Sequence, residues 1–306
     1  MKNKYVILIL QLFFSSCFIL NAQENDSSSI FKMPIQLDAF VIKTGFDLNT
    51  FIKKFKSDTT FYKSFKSMHL VPFISKNDIK VFNKHGNIIA TYSSKNQQLI
   101  INGCRVGEIT NEKISGDFYK NNSDYRYYTA SLYDYLFFTH EPVCNQNDII
   151  AGNNEKKGKG QLERSKYELK QLIFNPGSRI DGIPLLGNKA SIFDDDEIIK
   201  YDLKIAVDTI DNSECFVFKI TPKKEFKNKV IYNELITWFD KKDFSILARN
   251  YSLSYHTLIY DFDVSMKVRL KKIDKKLFPV KIIYDGNWHI LTKKRESVKF
   301  EISIEY

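Results

Sequence analysis

Residues 260–270 read Tyr-Asp-Phe-Asp-Val-Ser-Met-Lys-Val-Arg-Leu, an unbroken alternation of apolar and polar side chains. Residues 201–208 and 298–306 repeat this pattern. Such alternation is typical of strands that bury one face and expose the other, as in antiparallel sheets. With the strand-like segments between them, residues 201–306 therefore predict a meander of about seven strands, in which neighbours in sequence are also neighbours in space.

The apolar face of such a sheet needs helices to cover it. Asp47 has the character of an N-cap, and residues 47–70 place phenylalanines at helical spacing. Residues 161–174 predict a further helix. Residues 79–92 predict a β-hairpin with its loop at 83–87, and residues 98–106 predict a third strand.

The predicted fold class is therefore α+β. We expect a curved antiparallel β-sheet, an incomplete barrel, covered by a few helices and preceded by an N-terminal α/β extension. Residues 24–145 supply helices and strands, residues 146–160 lose all periodicity and predict a loop, and residues 161–306 supply a helix and the meander. We expect 24–145 and 161–306 to form one composite domain.

Residues 1–23 have the layout of a secretory signal peptide. Lys2 and Lys4 precede an apolar run over residues 5–20, and Asn21-Ala22-Gln23 follows. A transmembrane anchor is the alternative, but the run is shorter than the roughly 20 residues needed to cross a bilayer. We expect an exported protein of the periplasm or outer membrane whose mature chain starts near Gln23 or Glu24.

Cys17 offers a second way of processing the N-terminus. Phe14-Ser15-Ser16-Cys17 resembles a lipobox, in which the cysteine is lipidated and becomes the new N-terminus. Phe14 stands where leucine is usual, and apolar residues follow Cys17 in place of a polar tether. The pattern therefore favours simple cleavage, with lipidation of Cys17 as the alternative.

Three cysteines follow the signal segment: Cys104, Cys144 and Cys215. An odd number in an oxidising compartment allows one disulfide and one thiol. Cys215 lies in a segment that predicts a buried strand, so a Cys104–Cys144 disulfide is the pairing we propose. Three buried free thiols are the alternative.

The chain is basic, with 46 Lys and Arg against 36 Asp and Glu and a net charge of +10. Outside the cytoplasm, the anionic partners of such a protein are lipid phosphates and polysaccharides of an envelope or membrane surface, and we expect no nucleic acid partner. The lysines are spread evenly along the chain, which is also what a merely soluble surface requires.

No catalytic motif is present, because the sequence has no HExxH, no GxSxG and no phosphate-binding loop. His140-Glu141 is the one adjacent acid and base pair, and its position favours an ordinary loop. Residues 194–197 are four consecutive acids without the spacing of a calcium loop, which favours a helix start. We therefore expect no catalytic residue, no metal, no cofactor and no enzymatic activity.

The aromatic content of 14% is high. Seven of the fifteen residues over 124–138 are Tyr or Phe, which is typical either of a platform that stacks sugars or of a packed element. The absence of Trp from this stretch favours packing.

The C-terminal half also resembles a known family. The features that carry the resemblance are the helix over residues 169–174, the strand over 201–207, the segments 215–223 and 235–240, and Phe278-Pro279 at the start of a late strand. Over residues 161–306 they look like LolA-like lipoprotein carriers, and more closely like exported LolA-like proteins of Bacteroidetes-type bacteria, to which the signal peptide end is also similar. The resemblance implies an incomplete β-barrel closed by helices, with an acyl-binding cavity in the carriers.

Two functions follow from these observations. The first is an exported envelope protein that binds lipid or acyl chains in an aromatic cavity between sheet and helices. The second is a non-catalytic structural or interaction protein of the outer membrane with a filled core. The residues predicted to line the cavity are Phe216, Phe218, Trp238, Tyr260, Phe262, Met266, Tyr284 and Trp288.

Overall fold

The computed structural model describes a defined part of the chain. The described residues are 36–39, 42, 46–121, 124–144, 174, 176–177, 187–257, 260–290 and 294–306, without the side chains of Asn188, Tyr260 and Ile290. The predicted signal peptide with Cys17, the 146–160 loop and, apart from Phe174, the 161–174 helix lie outside these residues.

The described strands form one large, curved, unclosed sheet. They are β1 (Gln36–Leu37), β2 (Phe73–Phe82), β3 (Ile88–Ile101), β4 (Cys104–Gly116), β5 (Val143–Cys144), β6 (Tyr201–Ile210), β7 (Ser213–Pro222), β8 (Tyr232–Asp240), β9 (Ile246–His256), β10 (Tyr260–Ile273), β11 (Lys276–Ile290) and β12 (Glu296–Glu305). The order is β1, β6 to β12, then β2 to β5, and only β1 pairs in parallel, with β6. The predicted antiparallel sheet is thus confirmed.

The predicted seven-strand meander corresponds to β6 to β12, each paired with its neighbour in sequence. Strand β2 then pairs with β12 from Phe82 opposite Ser297 to Ile74 opposite Glu305. This pairing continues the meander into β2, β3 and β4, so that residues from both halves of the chain share one sheet.

The single strand predicted over residues 98–106 is wrong. Asn102 and Gly103 have φ angles of 51° and 76° and turn the chain between β3 and β4. An Asn-Gly pair is the strongest short hairpin signal because both positions of a type I′ turn need positive φ. Apolar residues lie on both sides of this pair, so the segment had the pattern of one continuous strand.

The described helices are short. They are α1 (Leu48–Ser57), α2 (Thr60–Met68), α3 (Tyr128–Phe137) and α4 (Asp195–Ile198), with 3₁₀ turns at Gly187–Ala190 and Lys224–Phe226. None of the described helices is long and apolar enough to cross a membrane. Asp47 caps α1 as predicted, since its Oδ1 accepts a hydrogen bond of 3.2 Å from the Thr50 amide.

The acidic run over residues 194–197 forms the start of α4, as predicted. Asp194 occupies the N-cap position and the next three acids fill the first turn, where the helix dipole favours negative charge. Within the described ranges, no group of His, Cys, Asp and Glu side chains is arranged to hold a metal ion.

Helices α1 and α2 bury phenylalanines against one face of the sheet. The ring of Phe55 lies 4.6 Å from that of Phe218 on β7 and 5.5 Å from that of Phe239 on β8. Phe61 covers the guanidinium of Arg249, whose Nε donates a 3.1 Å hydrogen bond to Thr237 Oγ1. Burial lowers the pKa of Arg249 to about 10.

Helix α3 packs on the same face, farther along the sheet. The ring of Tyr133 lies 4.9 Å from that of Phe300, and its hydroxyl donates a 2.5 Å hydrogen bond to Asn77 Oδ1. The first turn is capped by Glu296 of β12, whose carboxylate accepts from the amides of Tyr128 (2.7 Å) and Thr129 (3.0 Å). The aromatic stretch 124–138 is therefore a packed element, the interpretation favoured from its sequence.

A disulfide joins Cys104 to Cys144 and ties β5 to the start of β4. Cys215 is a buried thiol on the face of the sheet opposite α1 and α2. Burial raises the pKa of Cys215 to about 11, which keeps this thiol protonated and unreactive at neutral pH.

Candidate functional site

A pocket of about 700 Å³ lies between α1 and α2 on one side and the β8–β9 and β10–β11 turns on the other. We call it the α1–α2 pocket. Its volume falls within the roughly 300–1,000 Å³ of small-molecule sites. Its apolar lining is Phe51, Phe55, Phe239, Phe244, Leu70 and Leu277.

The floor of the pocket is aromatic and held by packing. Phe51 and Phe55 come from one face of α1, and their rings both lie 5.5 Å from the ring of Phe239. All three side chains are buried, so they form a fixed surface. Such a floor offers a ligand apolar contact with little ordering cost.

Phe244 lies at the mouth, in the turn between β8 and β9. Its φ angle is 59°, a left-handed conformation that a bulky side chain rarely adopts. Its ring stacks on Phe216 at 5.8 Å and lies 4.2 Å from the Lys54 ammonium. Backbone strain of this kind persists where surrounding contacts impose it and is frequent at ligand sites.

The rim of the pocket is basic. It carries six lysines and two aspartates: Lys54, Lys63, Lys66, Lys272, Lys275, Lys276, Asp58 and Asp243. Asp243 forms an ion pair with Lys272. Partial burial raises the pKa of Asp243, but hydrogen bonds from Lys272 and Ser245 outweigh it and lower this pKa to about 2.

Asp58 is also engaged within the protein. Its Oδ1 accepts hydrogen bonds from the Thr60 amide (3.0 Å) and hydroxyl (2.9 Å), at the first turn of α2. Both rim carboxylates therefore already have donors, and the rim as a whole presents positive charge to solvent.

Six of the eight residues predicted to line a cavity lie on the helix-covered face of the sheet. They are Phe216, Phe218, Phe262, Met266, Tyr284 and Trp288. The structure packs them against protein side chains: Tyr284 stacks on Phe300 at 4.6 Å, and Trp288 Nε1 donates to Thr129 Oγ1 at 2.9 Å. None of the six lines the α1–α2 pocket.

The other two residues are placed differently. Trp238 lies on the opposite face, where it covers Cys215 and Ala248 and donates from Nε1 to Asp208 Oδ2 at 3.2 Å. It borders a separate hollow of about 320 Å³. Tyr260 is the first residue of β10, and its side chain is not among the parts of the chain that the structure describes.

Sequence reasoning placed the phenylalanines of residues 47–70, among them Phe51 and Phe55, on helices that cover the sheet and did not connect them to a pocket. The face of the sheet on which Phe239 lies could not be predicted, because residues 235–239 are apolar or small at both alternating positions. The usable signal was charge: although lysines are spread along the chain as a whole, Lys271, Lys272, Lys275 and Lys276 lie within six residues, around the β10–β11 turn.

His140 lies beyond the end of α3. Its Nε2 is 2.6 Å from Asp134 Oδ1, which also accepts a 2.7 Å hydrogen bond from the Tyr125 hydroxyl. Burial and the Asp134 carboxylate raise the pKa of Tyr125. His140 thus pairs with an acid of α3, an arrangement that fixes the end of this helix.

No protein family model matches the chain, and no curated protein matches it. Among the solved structures that are similar to it are the following two. One is a DUF1329 family protein from Desulfovibrio piger, with 14% identity, a TM-score of 0.23 and coverage of 80% of this chain and 88% of that one. The other is an outer membrane lipoprotein-sorting protein domain from Vibrio parahaemolyticus, with 11% identity, a TM-score of 0.26 and coverage of 80% and 89%. Scores this low do not establish a shared fold, so membership of the LolA-like, Bacteroidetes-type group stays a prediction.

Proposed function

We propose that this protein is an exported, non-enzymatic protein of the cell envelope that binds lipid or acyl chains. The observation that carries the proposal is the α1–α2 pocket, which joins an aromatic floor to a charged rim. A ligand with an apolar tail and a polar head matches this division, because each part meets a surface of its own polarity.

The size and lining of the pocket support this assignment. Its volume of about 700 Å³ accommodates a ligand of the size of one acyl chain with its head. The apolar side chains of the lining remove tail surface from water, which contributes roughly 25 cal/mol for each Å² buried.

Native mass spectrometry of the mature protein, followed by titration of the delipidated protein with a fluorescent fatty acid, tests the proposal. Ser67 lines the pocket, and Ser67→Trp should block the site and abolish binding. Ser115→Trp, on the exposed β4 strand, is the matched control and should bind normally. Absence of any copurified amphiphile together with no saturable binding would overturn the proposal.

The second candidate is a structural or interaction protein of the outer membrane with a filled core. It is favoured by the packing of six predicted cavity residues against protein side chains, as seen for Tyr284 on Phe300. A pull-down from envelope fractions tests this candidate: the wild type and Ser67→Trp should recover the same partner in equal amounts. Binding of a partner that depends on an open pocket would count against this candidate.

A further inference from the structure

The lysines of the rim are not equivalent. Lys54 lies over the Phe244 ring and Lys272 pairs with Asp243. Lys63, Lys275 and Lys276 are exposed, and no carboxylate of the described residues lies within ion-pair distance of them. Three ammonium groups from two separate elements, α2 and the β10–β11 hairpin, thus border the same opening.

The turn that carries two of these lysines has an unusual backbone. Asp274 and Lys275 have φ angles of 47° and 66°, the positions that a type I′ turn normally gives to Asn and Gly. A residue with a Cβ in this conformation costs about 1 kcal/mol relative to glycine. The chain therefore carries a charged side chain at a strained position bordering the pocket.

The acids of the rim offset only part of these charges, because six lysines stand against two aspartates. Asp243 is paired with Lys272. Asp58 accepts hydrogen bonds from Thr60 but keeps its negative charge, which also interacts with the buried guanidinium of Arg249. A tail that lies on the aromatic floor places its headgroup at the rim, where the net charge is positive.

We propose that the α1–α2 pocket selects amphiphiles with an anionic headgroup, through Lys63, Lys275 and Lys276. This inference rests on the proposed function, because it assigns the headgroup of a ligand whose tail occupies the floor. The charge of the headgroup then decides which lipids are retained, while the rings supply affinity common to all of them.

A pair of lipids with the same acyl chain and different headgroup charge tests this selection. Palmitoyl-lysophosphatidylglycerol is anionic and palmitoyl-lysophosphatidylcholine is zwitterionic, and both are titrated below their micellar concentrations into the delipidated protein. We expect the wild type to prefer the anionic lipid by about tenfold at low salt, since exposed charge pairs each contribute modestly. The preference should shrink at high salt, because exposed charges are screened.

The variant Lys63→Gln/Lys275→Gln/Lys276→Gln should bring the ratio of the two affinities close to one. The control Lys84→Gln/Lys113→Gln/Lys120→Gln removes the same charge from exposed positions outside the pocket and should keep the wild-type ratio. The variant Lys63→Arg/Lys275→Arg/Lys276→Arg keeps the charge and should keep the wild-type preference, which separates loss of charge from loss of folding.

The outcomes separate the inference from the proposed function. Equal binding of both lipids by the wild type overturns the headgroup selection and leaves acyl binding standing. Failure of the wild type to bind either lipid overturns both. If the control variant lost the preference for the anionic lipid to the same extent, the preference would come from the overall net charge. The assignment to the three lysines would then be wrong.

Discussion

The ammonium of Lys54 lies 4.2 Å from the centroid of the Phe244 ring. This contact joins α1 to the β8–β9 turn at the mouth of the α1–α2 pocket, and it fixes an aromatic residue whose φ angle is 59°. The ring of Phe244 also stacks on that of Phe216. The contacts of one side chain thus stabilise a backbone conformation that its own Cβ disfavours.

Replacement of Phe244 by alanine and by glycine separates these two effects. Both substitutions remove the ring, but alanine keeps the disfavoured left-handed backbone whereas glycine relieves it. We expect Phe244→Gly to be more stable than Phe244→Ala by about 1 kcal/mol, and both to be less stable than the wild type. Urea unfolding monitored by circular dichroism measures the difference.

Equal stability of the two variants would show that the backbone at residue 244 relaxes without the ring. Both variants should also bind the fluorescent fatty acid more weakly than the wild type. Unchanged binding would show that Phe244 does not contact the tail.

The sheet was predictable because its strands obey a local rule. Residues 260–270 and 298–306 alternate strictly, so the sequence determines which side chains face the helices. Asp47 was predictable for the same reason, since an N-cap acts on residues three positions away.

The pocket was not predictable, because its lining meets only in the folded chain. In β8, the two alternating sets are Leu235, Thr237 and Phe239 against Ile236 and Trp238. Both sets contain a large aromatic residue, so periodicity does not decide which one faces the helices. The register places Phe239 toward α1 and Trp238 on the opposite face.

The ion pair of Asp243 and Lys272 predicts a pH dependence of stability. The pKa of Asp243 is lowered to about 2 in the folded state, from an ordinary value near 4. A carboxylate with a depressed pKa stabilises the fold above its unfolded pKa, and this contribution is lost as the pH falls from about 4 to about 2. Because both side chains are partly exposed, we expect about 1 kcal/mol or less.

A double-mutant cycle with Asp243→Asn and Lys272→Gln isolates this contribution. The coupling free energy from urea unfolding should be positive at pH 7 and approach zero near pH 2. A coupling that is the same at both values would contradict the assignment of the shift to this pair.

The Cys104–Cys144 disulfide closes a long loop, with a sequence separation of 40 residues. A cross-link of this kind contributes roughly 2–4 kcal/mol, mainly by restricting the unfolded chain. We expect Cys104→Ala/Cys144→Ala to lose stability in this range but to keep fatty acid binding, because neither cysteine lines the α1–α2 pocket.

Thiol counting provides the complementary measurement. A mature chain that starts near Glu24 should show one reactive thiol when unfolded without reductant, that of Cys215. Three reactive thiols would contradict the disulfide. Cys215→Ala, which retains the cross-link, should show none and serves as the control.

The cap on α3 comes from a residue more than 160 positions away in the chain, and local sequence does not reveal it. Glu296 accepts from the amides of Tyr128 and Thr129, and it also accepts a 3.0 Å hydrogen bond from the Thr129 hydroxyl. Its negative charge lies at the positive end of the helix dipole.

Glu296→Gln keeps the size of the side chain but removes the charge, and we expect it to lower the free energy of unfolding by about 1 kcal/mol. Glu296→Ala should lower it further, because it also leaves amide groups without an acceptor. Glu301→Gln is the matched control: Glu301 lies on the same strand and forms an exposed ion pair with Lys281, which is worth less. If Glu296→Gln were no more destabilising than Glu301→Gln in urea unfolding, the contact between β12 and α3 would not act as a cap.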